Sequence, residues 1–159
     1  MKILVVSDTH GRMTNFDMVI EREAPFDRLL HLGDSEDCED YIEAVCDCPV
    51  EIVAGNCDRA LHLQRECVFS LAGHTFFLTH GHNYSVKRGM EKLKEAARQR
   101  NADIALFGHT HEPFLQQEDG ILFLNPGSLS FPRPYTSRPS YAVINIDENG
   151  KVKVDLKRV

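Results

Sequence analysis

The chain has 159 residues, 42% of them hydrophobic and 26% charged, which is the composition of a folded domain and excludes a disordered chain. Its formal net charge of −6 disfavours tight nonspecific binding to nucleic acid or to an anionic membrane. No apolar run approaches the roughly 20 residues that a membrane-spanning helix needs. We expect one domain over residues 1–159, in the cytoplasm, with its five cysteines as reduced thiols.

In chain order, the first half predicts alternating strands and helices. Each apolar run is short and ends at glycine, proline or polar residues, which is typical of buried strands. The predicted elements are strand 2–7, a helix from Thr14 to Pro25, strand 28–32, a helix from Ser35 to about residue 46, and strand 50–53. This order places the residues that follow each strand at the edge of the sheet where open α/β folds bind ligands.

The second half predicts hairpins and one further helix. Strands 66–72 and 74–79 are followed by a helix from Val86 to Arg100 and by strand 103–107. The tail carries predicted strands 114–117, 121–125, 140–146 and 151–157, with hairpin turns at residues 119–120 and 149–150. The segment 125–139 is predicted to be a long loop, and long loops in compact domains are often functional.

Five short polar motifs follow predicted strands. They are Asp8-Thr9-His10, Gly33-Asp34, Gly55-Asn56-Cys57-Asp58, His80-Gly81-His82 and Gly108-His109-Thr110-His111. Carboxylate and neutral imidazole groups are ligands for borderline divalent metals. In extended backbone, donors two residues apart point to the same side of the chain. Because neighbouring parallel strands end at the same edge of a sheet, these motifs together predict a metal centre.

This ordered series of motifs resembles the calcineurin-like metallophosphoesterases, and within them the small YfcE/MJ0936-type phosphodiesterase branch. The resemblance extends from Asp8 to about Arg133, and it includes Asn125-Pro126-Gly127-Ser128 followed by Pro132-Arg133. It implies an α/β fold of four layers, an α/β/β/α sandwich of two mixed sheets. It also implies two divalent metal ions, for which we expect Mn²⁺, with Ni²⁺, Zn²⁺ or Fe as possible substitutes.

The resemblance assigns seven residues to the two metals. The first metal would be held by Asp8, His10, Asp34 and His111. Asp34 would bridge to the second metal, which would be completed by Asn56, His80 and His109. A hydroxide that bridges the two metals would attack phosphorus in line, and Asn56 would help to stabilise charge on the phosphoryl oxygens. No protein nucleophile is needed, so no covalent intermediate is expected.

Cys57 departs from the pattern of the wider superfamily, in which the residue after this asparagine is often a histidine. That histidine is thought to protonate the leaving group or to bind phosphate. A thiol is a weaker acid than an imidazolium and a weak hydrogen-bond donor, so Cys57 favours phosphodiesters or good leaving groups as substrates. Asn56, Cys57 and Asp58 are the candidate catalytic residues. Asp58 either supports a ligand by a hydrogen bond or makes a loop contact.

Two further residues are candidates for substrate binding. His82 either lines the substrate cleft or has a supporting or surface role, and Arg133 either contacts phosphate or forms a structural salt bridge. Basic residues between 87 and 100 either attract an anionic substrate or form a solvated helix face. The acidic residues from Glu36 to Glu43 are interpreted as favourable charges at a helix start. The group Cys38, Cys46 and Cys48 is interpreted as small buried hydrophobic residues.

The sequence therefore predicts a metal-dependent phosphodiesterase that acts on a small-molecule or nucleotide phosphoester. Membranes are not expected partners, nucleic acid is disfavoured by the acidic charge and small size, and a homo-oligomer stays open. The alternative is a non-catalytic, metal-binding interaction scaffold such as the retromer subunit Vps29, which shares this fold but lacks part of the histidine set. Because this chain keeps His10, His80, His109 and His111, the enzyme is favoured.

Overall fold

Ten strands form two five-stranded sheets in the computed structural model, which describes all 159 residues. In chain order the strands are β1 (Lys2–Val6), β2 (Arg28–His31), β3 (Val50–Ile52), β4 (Glu66–Leu71), β5 (His74–Thr79), β6 (Ile104–Leu106), β7 (Pro113–Glu118), β8 (Ile121–Pro126), β9 (Ser140–Ile146) and β10 (Val152–Arg158). The first sheet has the order β10-β9-β1-β2-β3 and the second the order β4-β5-β6-β8-β7. Both sheets are mixed, because each combines parallel and antiparallel pairs.

Three α-helices cover the outer faces of the sheets: α1 (Thr14–Glu23), α2 (Glu39–Val45) and α3 (Glu91–Gln99). Helices α1 and α2 pack against the first sheet, where Phe16 and Ile42 join Leu4 in one buried cluster. Helix α3 packs against the second sheet through Leu93, which shares a cluster with Phe77. None of the helices is long and apolar enough to cross a membrane. The layer order confirms the predicted α/β/β/α sandwich.

The core between the two sheets is built from alternating strand residues. Ile3 and Val5 face the second sheet, while Leu4 and Val6 face the helices. Because both faces of β1 are covered, four consecutive apolar residues are buried there, which explains its unbroken hydrophobic run. Such burial is worth roughly 1.5–3 kcal/mol for each large aliphatic side chain. The free cysteines Cys38, Cys46 and Cys48 pack beside the helix-covered cluster, as expected for small hydrophobic residues.

Two predicted helix starts are wrong. Helix α2 begins at Glu39 and not at Ser35, because Glu36 and Asp37 have φ values of 52° and 62°, which a right-handed helix cannot contain. Helix α3 begins at Glu91 and not at Val86. A 3₁₀ turn over His82–Tyr84 comes first, and the left-handed backbone of Ser85 (φ 55°) ends it.

The topology brings the ends of six strands to one side of the sandwich. Strands β1, β2 and β3 run parallel to one another in the first sheet, and β5, β6 and β8 run parallel in the second. Five of these strands are followed by the polar motifs, and β8 is followed by the long loop that begins after Pro126. The motifs therefore meet where the carboxyl ends of the two sheets face each other.

Candidate metal centre

Three of the predicted donors meet at the end of the first sheet. Nε2 of His111 lies 3.0 Å from Oδ1 of Asp8, and Nε2 of His10 lies 3.9 Å from the same oxygen. The two Nε2 atoms are 3.3 Å apart. Asp8 is fully buried, and both imidazoles are largely shielded from solvent. This group has the size and donor types of a divalent metal site.

Asp34 connects this group to a second one. Its Oδ2 atom lies 3.8 Å from Nε2 of His10 and 3.4 Å from Nε2 of His80, so one oxygen faces a histidine of each group. The ring of His109 lies 5.1 Å from that of His80, between centroids. Asn56 is exposed, and its amide donates to Sγ of Cys57 at the edge of the site. Six of the seven predicted ligands therefore lie close together, and the seventh, Asn56, lies at the edge of the site.

Five of the predicted ligands lie in left-handed backbone. The φ angles are 55° at Asp8, 46° at His10, 56° at Asp34, 69° at His109 and 63° at His111. The sequence argument that paired donors lie in extended backbone is therefore wrong. The donors converge because tight turns at the strand ends aim them inward. For a residue with a Cβ atom this conformation costs about 1 kcal/mol or more, which is typical of strain retained at functional sites.

Glycine is required where these turns approach one another. A Cβ atom on Gly108 would lie 2.1 Å from Oγ of Ser7 and 2.9 Å from Oδ2 of Asp8. A Cβ atom on Gly55 would lie 2.0 Å from Oδ1 of Asp34. Any side chain at either position would displace a predicted ligand, which explains the glycine in the Gly-Asn and Gly-His motifs.

Hydrogen bonds from the second ring nitrogen orient three of the histidines. Nδ1 of His80 donates to the carbonyl oxygen of Leu32, and Nδ1 of His111 donates to that of Phe131, each at 2.7 Å. Because a carbonyl oxygen only accepts, Nδ1 carries a proton in both histidines, and Nε2, which faces the carboxylates, is the nitrogen left to bind a metal when the ring is neutral. This is the tautomer that a metal ligand needs.

Glu36 orients the third histidine and was missed by the sequence analysis. Its Oε1 atom lies 2.7 Å from Nδ1 of His10. The sequence assigned Glu36 to the charged start of a helix, but the left-handed turn places it outside α2 and beside His10. Among the three oriented histidines, His10 is the one whose partner is a carboxylate. No spacing rule signals this contact, because it joins residues from two separate strand-end turns.

Asp58 holds the turns that carry the ligands. Its carboxylate accepts hydrogen bonds from the backbone N–H groups of Asp34 at 2.8 Å, Gly55 at 2.7 Å and Glu36 at 2.7 Å. The hydroxyl of Ser35 donates a fourth, at 3.1 Å. Asp58 thus contacts the loops and also hydrogen-bonds the backbone of the predicted ligand Asp34, which fits both of the alternatives given for it.

Cys57 contributes its backbone to the site. Its N–H donates to Oδ1 of Asp34 at 2.8 Å, which leaves Oδ2 of that carboxylate to face the histidines. Partial desolvation and the negative charge of Asp34 raise the pKa of the Cys57 thiol to about 12.

The buried charges of the site depend on one another. Burial opposes the charged form of both Asp34 and His80, but their contact outweighs it: the pKa of Asp34 is lowered and that of His80 is raised. Burial and then the charges of His80 and Lys87 lower the pKa of His109 to about 4, so this imidazole is neutral at pH 7.

The donors fit a cation. Oδ1 of Asp8 and Nε2 of His80 are buried polar atoms without a hydrogen-bond partner. Leaving such an atom unpaired costs about 1–3 kcal/mol, and more for a charged group. Oδ1 of Asp8 also lies 3.0 Å from Nε2 of His111, so that a cation at this position could be bound by both atoms.

The two predicted substrate-binding residues lie beside the ligands. The ring of His82 is 5.4 Å from that of His80, and its Nδ1 atom is buried and unpartnered. The backbone N–H of Arg133 donates to the carbonyl oxygen of His111 at 3.0 Å. Its guanidinium lies 3.7 Å from the ring centre of Tyr135, and its buried Nη1 atom has no partner. The structure thus contains no salt bridge at Arg133, and that alternative is wrong.

Comparisons with known proteins identify the family of this chain. A family model for the calcineurin-like phosphoesterase superfamily domain matches residues 1–149. Phosphodiesterase YfcE of Escherichia coli strain K12 is 32% identical over 157 residues, covering 84% of this chain and 82% of YfcE. The solved structure of a conserved protein from Streptococcus pneumoniae TIGR4, described as a predicted phosphoesterase, is 33% identical with a TM-score of 0.84, covering 99% of this chain and 88% of that one.

A second solved structure with this fold is that of a Vps29 protein. Vps29 from Entamoeba histolytica, solved in complex with Zn²⁺, has a TM-score of 0.80 and 24% identity, and covers 99% of each chain. That level of identity establishes the shared fold alone. The family model, the relatives and the ordered strand-end motifs together show that this chain belongs to the calcineurin-like phosphoesterase superfamily.

Proposed function

We propose that this protein is a metal-dependent phosphodiesterase that holds two divalent ions, with Mn²⁺ as the expected metal, and hydrolyses a small-molecule or nucleotide phosphoester. The observation that carries the proposal is the pair of buried, unpartnered donor atoms, Oδ1 of Asp8 and Nε2 of His80, among converging imidazoles. Buried polar atoms in folded proteins are nearly always paired, so this arrangement supports a cation as the missing partner. The phosphodiesterase name of the relative YfcE supports the reaction class.

The geometry supports the predicted division of the ligands. The first metal would be bound by Asp8, His10, Asp34 and His111, whose donor atoms lie within 4 Å of a neighbouring donor. The second would be bound by Asp34, His80, His109 and Asn56. The amide of Asn56 would need to turn away from Cys57, which its exposure allows.

Two bound divalent ions would supply a nucleophilic hydroxide and stabilise negative charge on the phosphoryl oxygens. The chain's own residues would hold the substrate for that attack. Asp34, fixed by the N–H of Cys57, keeps one oxygen directed at both histidine groups. Asn56 and Arg133 would donate hydrogen bonds to the phosphoryl oxygens. Cys57 is a weak hydrogen-bond donor, so the reaction would suit diesters or leaving groups that depart without a strong acid.

The five free cysteines support the expected cytoplasmic location, because reduced thiols persist in a reducing compartment. The shared fold of Vps29 keeps a binding scaffold as the competing function. The scaffold would bind a protein partner and would show no turnover even when metal is bound.

The test is hydrolysis of bis(p-nitrophenyl) phosphate and p-nitrophenyl phosphate by chelator-treated protein, with and without added Mn²⁺. We expect metal-dependent turnover with the diester preferred. His80→Ala should remove this turnover, while His62→Ala, a change in an exposed loop, should not. Metal binding at two sites without turnover of either ester would support the scaffold and contradict the proposal.

A further inference from the structure

A groove on the outer face of the first sheet lies between α1 and α2 and has a volume of about 710 Å³. Strands β1, β2 and β3 are parallel, so the helices that connect them run back towards the starts of the strands. The groove is therefore at the opposite end of the sheet from the metal ligands. Its apolar walls are formed by Ile20, Ala24 and Phe26 on the α1 side and by Tyr41, Val45 and Cys46 on the α2 side.

The groove has a preformed floor. Ile20, Phe26 and Cys46 pack against the buried cluster on the helix-covered face of the sheet. The two helices are joined beside the groove by the hydroxyl of Tyr41, which donates a hydrogen bond to Oδ1 of Asp17 at 2.9 Å. The shape of the groove is therefore fixed by the core and by this contact before anything binds, which is typical of binding sites.

Apolar side chains along the groove are exposed to solvent. Tyr41 is 43% exposed, and Val45, one turn later on α2, is 37% exposed. The groove extends along α1 from Asp17 to Ala24, which is about two helical turns, or roughly 10 Å. An amphipathic helix presents apolar residues at positions i and i+4, about 6 Å apart along its axis. The groove is therefore long enough to bind two such residues.

The margin of the groove is acidic. Asp17, Glu21 and Asp47 line it, and no lysine or arginine does. Helices α1 and α2 together contain six carboxylates, of which Glu23 alone forms salt bridges. Their one cationic residue, Arg22, points away from α2, because its guanidinium donates to a carbonyl oxygen of β10, at the far edge of the sheet. We name this cavity the acidic groove.

The charge of the acidic groove selects among possible occupants. A second copy of the chain, bound symmetrically through this face, would bring two acidic surfaces together. An anionic membrane would be repelled for the same reason. A cationic amphipathic segment is complementary to both features, because its apolar face matches the walls and its basic residues match the margin.

We propose that the acidic groove binds a short amphipathic helix of a partner protein. Two apolar residues of that helix, one turn apart, occupy the groove, and its lysine or arginine residues face Asp17, Glu21 and Asp47. This surface is separate from the metal centre, so the inference does not depend on the proposed phosphodiesterase function.

The test measures binding of three fluorescein-labelled peptides of about 14 residues to the metal-free protein by fluorescence anisotropy. The first is made of leucine and lysine, with leucines spaced to form one helical face. The second has the same composition in scrambled order, and the third keeps the pattern with glutamate in place of lysine. We expect the first to bind about 10-fold or more tightly than either of the others, with affinity that falls as ionic strength rises.

Variants assign the binding to the acidic groove. Val45→Asp should raise the Kd of the patterned lysine peptide about 10-fold or more, because it places a charge among the apolar contacts. Leu156→Asp is the matched control, since Leu156 is 39% exposed but lies on β10. Glu21→Lys, at an exposed position, should also weaken binding, whereas Glu148→Lys, in the turn before β10, should not.

Three results would overturn the proposal. Equal binding of the patterned and scrambled lysine peptides, or equal binding of the patterned peptide to the wild type and to Val45→Asp, would mean that charge alone attracts the peptide. Binding of the glutamate peptide as tight as that of the lysine peptide would contradict a cationic partner. A wild-type dimer in analytical ultracentrifugation that Val45→Asp dissociates would identify a second copy of the chain as the occupant.

Discussion

Replacing Glu23 by glutamine would remove the charge of a carboxylate that joins α1 to β1, β9 and β10. The carboxylate is 5% exposed and accepts hydrogen bonds from Tyr141 at 2.7 Å and from Lys157 at 2.8 Å, with Lys2 at 3.0 Å. Burial alone would raise its pKa, but these three partners lower it from 4.5 to about 2. A difference of this size corresponds to roughly 3 kcal/mol of folding free energy.

The sign of the pH dependence follows from the lowered pKa. The folded protein holds Glu23 ionised at pH values where the unfolded chain binds a proton, so the stabilisation is complete above pH 4.5 and is lost as the pH falls towards 2. Glu23→Gln should therefore reduce the free energy of unfolding by about 3 kcal/mol at pH 7 and by about half as much at pH 3.

Urea unfolding of chelator-treated protein, followed by circular dichroism between pH 7 and pH 3, measures this difference. Glu21→Gln, on an exposed position of the same helix, is the control and should change stability by less than about 0.5 kcal/mol. The claim that the Glu23 charge stabilises the fold is refuted if the wild type and Glu23→Gln have the same free energy of unfolding at pH 7. It is also refuted if the difference between them is the same at pH 3 as at pH 7.

Three further predictions concern the metal centre. Glu36→Gln should weaken binding of the first metal by about 10-fold and leave the second unchanged in a Mn²⁺ competition titration, with the neighbouring Asp37→Asn as the charge-matched control. Equal effects of the two variants would show that charge and not orientation matters. Gly108→Ala should lower metal affinity more than 10-fold, since its Cβ would lie 2.1 Å from Oγ of Ser7, and an unchanged titration would contradict this close approach. Asp58→Ala should lower the melting temperature by several degrees even without metal, because buried N–H groups lose their acceptor, and thermal unfolding of the metal-free variant tests this.

The strands and the convergence of the ligands can be predicted from the sequence for a clear physical reason. Short apolar runs that end in polar motifs predict parallel strands, and parallel strands bring those ends together. Asp8, His80 and His111 were found in this way. The backbone conformation of the turns cannot be predicted from these motifs, because the same order of residues fits an extended backbone and a left-handed one. Glu36 was missed for that reason, and the start of α2 was placed too early.

The sequence also does not predict which side chains contact one another. Nothing in the order of residues indicates that Arg133 stacks on Tyr135 and forms no salt bridge, because both are in a loop whose path depends on tertiary contacts. The same holds for Asp58, whose hydrogen bonds to three separate backbone N–H groups depend on how two loops meet.

The left-handed turns also affect how this fold would evolve. With about 1 kcal/mol or more of conformational cost at each of five positions, Asp8, His10, Asp34, His109 and His111 are individually poor choices for a stable chain. Selection for stability alone would replace them with glycine or asparagine, which adopt these angles more readily. A descendant that no longer binds metal would therefore be stabilised by substitutions at these five positions. Such substitutions in its sequence would indicate that metal binding has been lost.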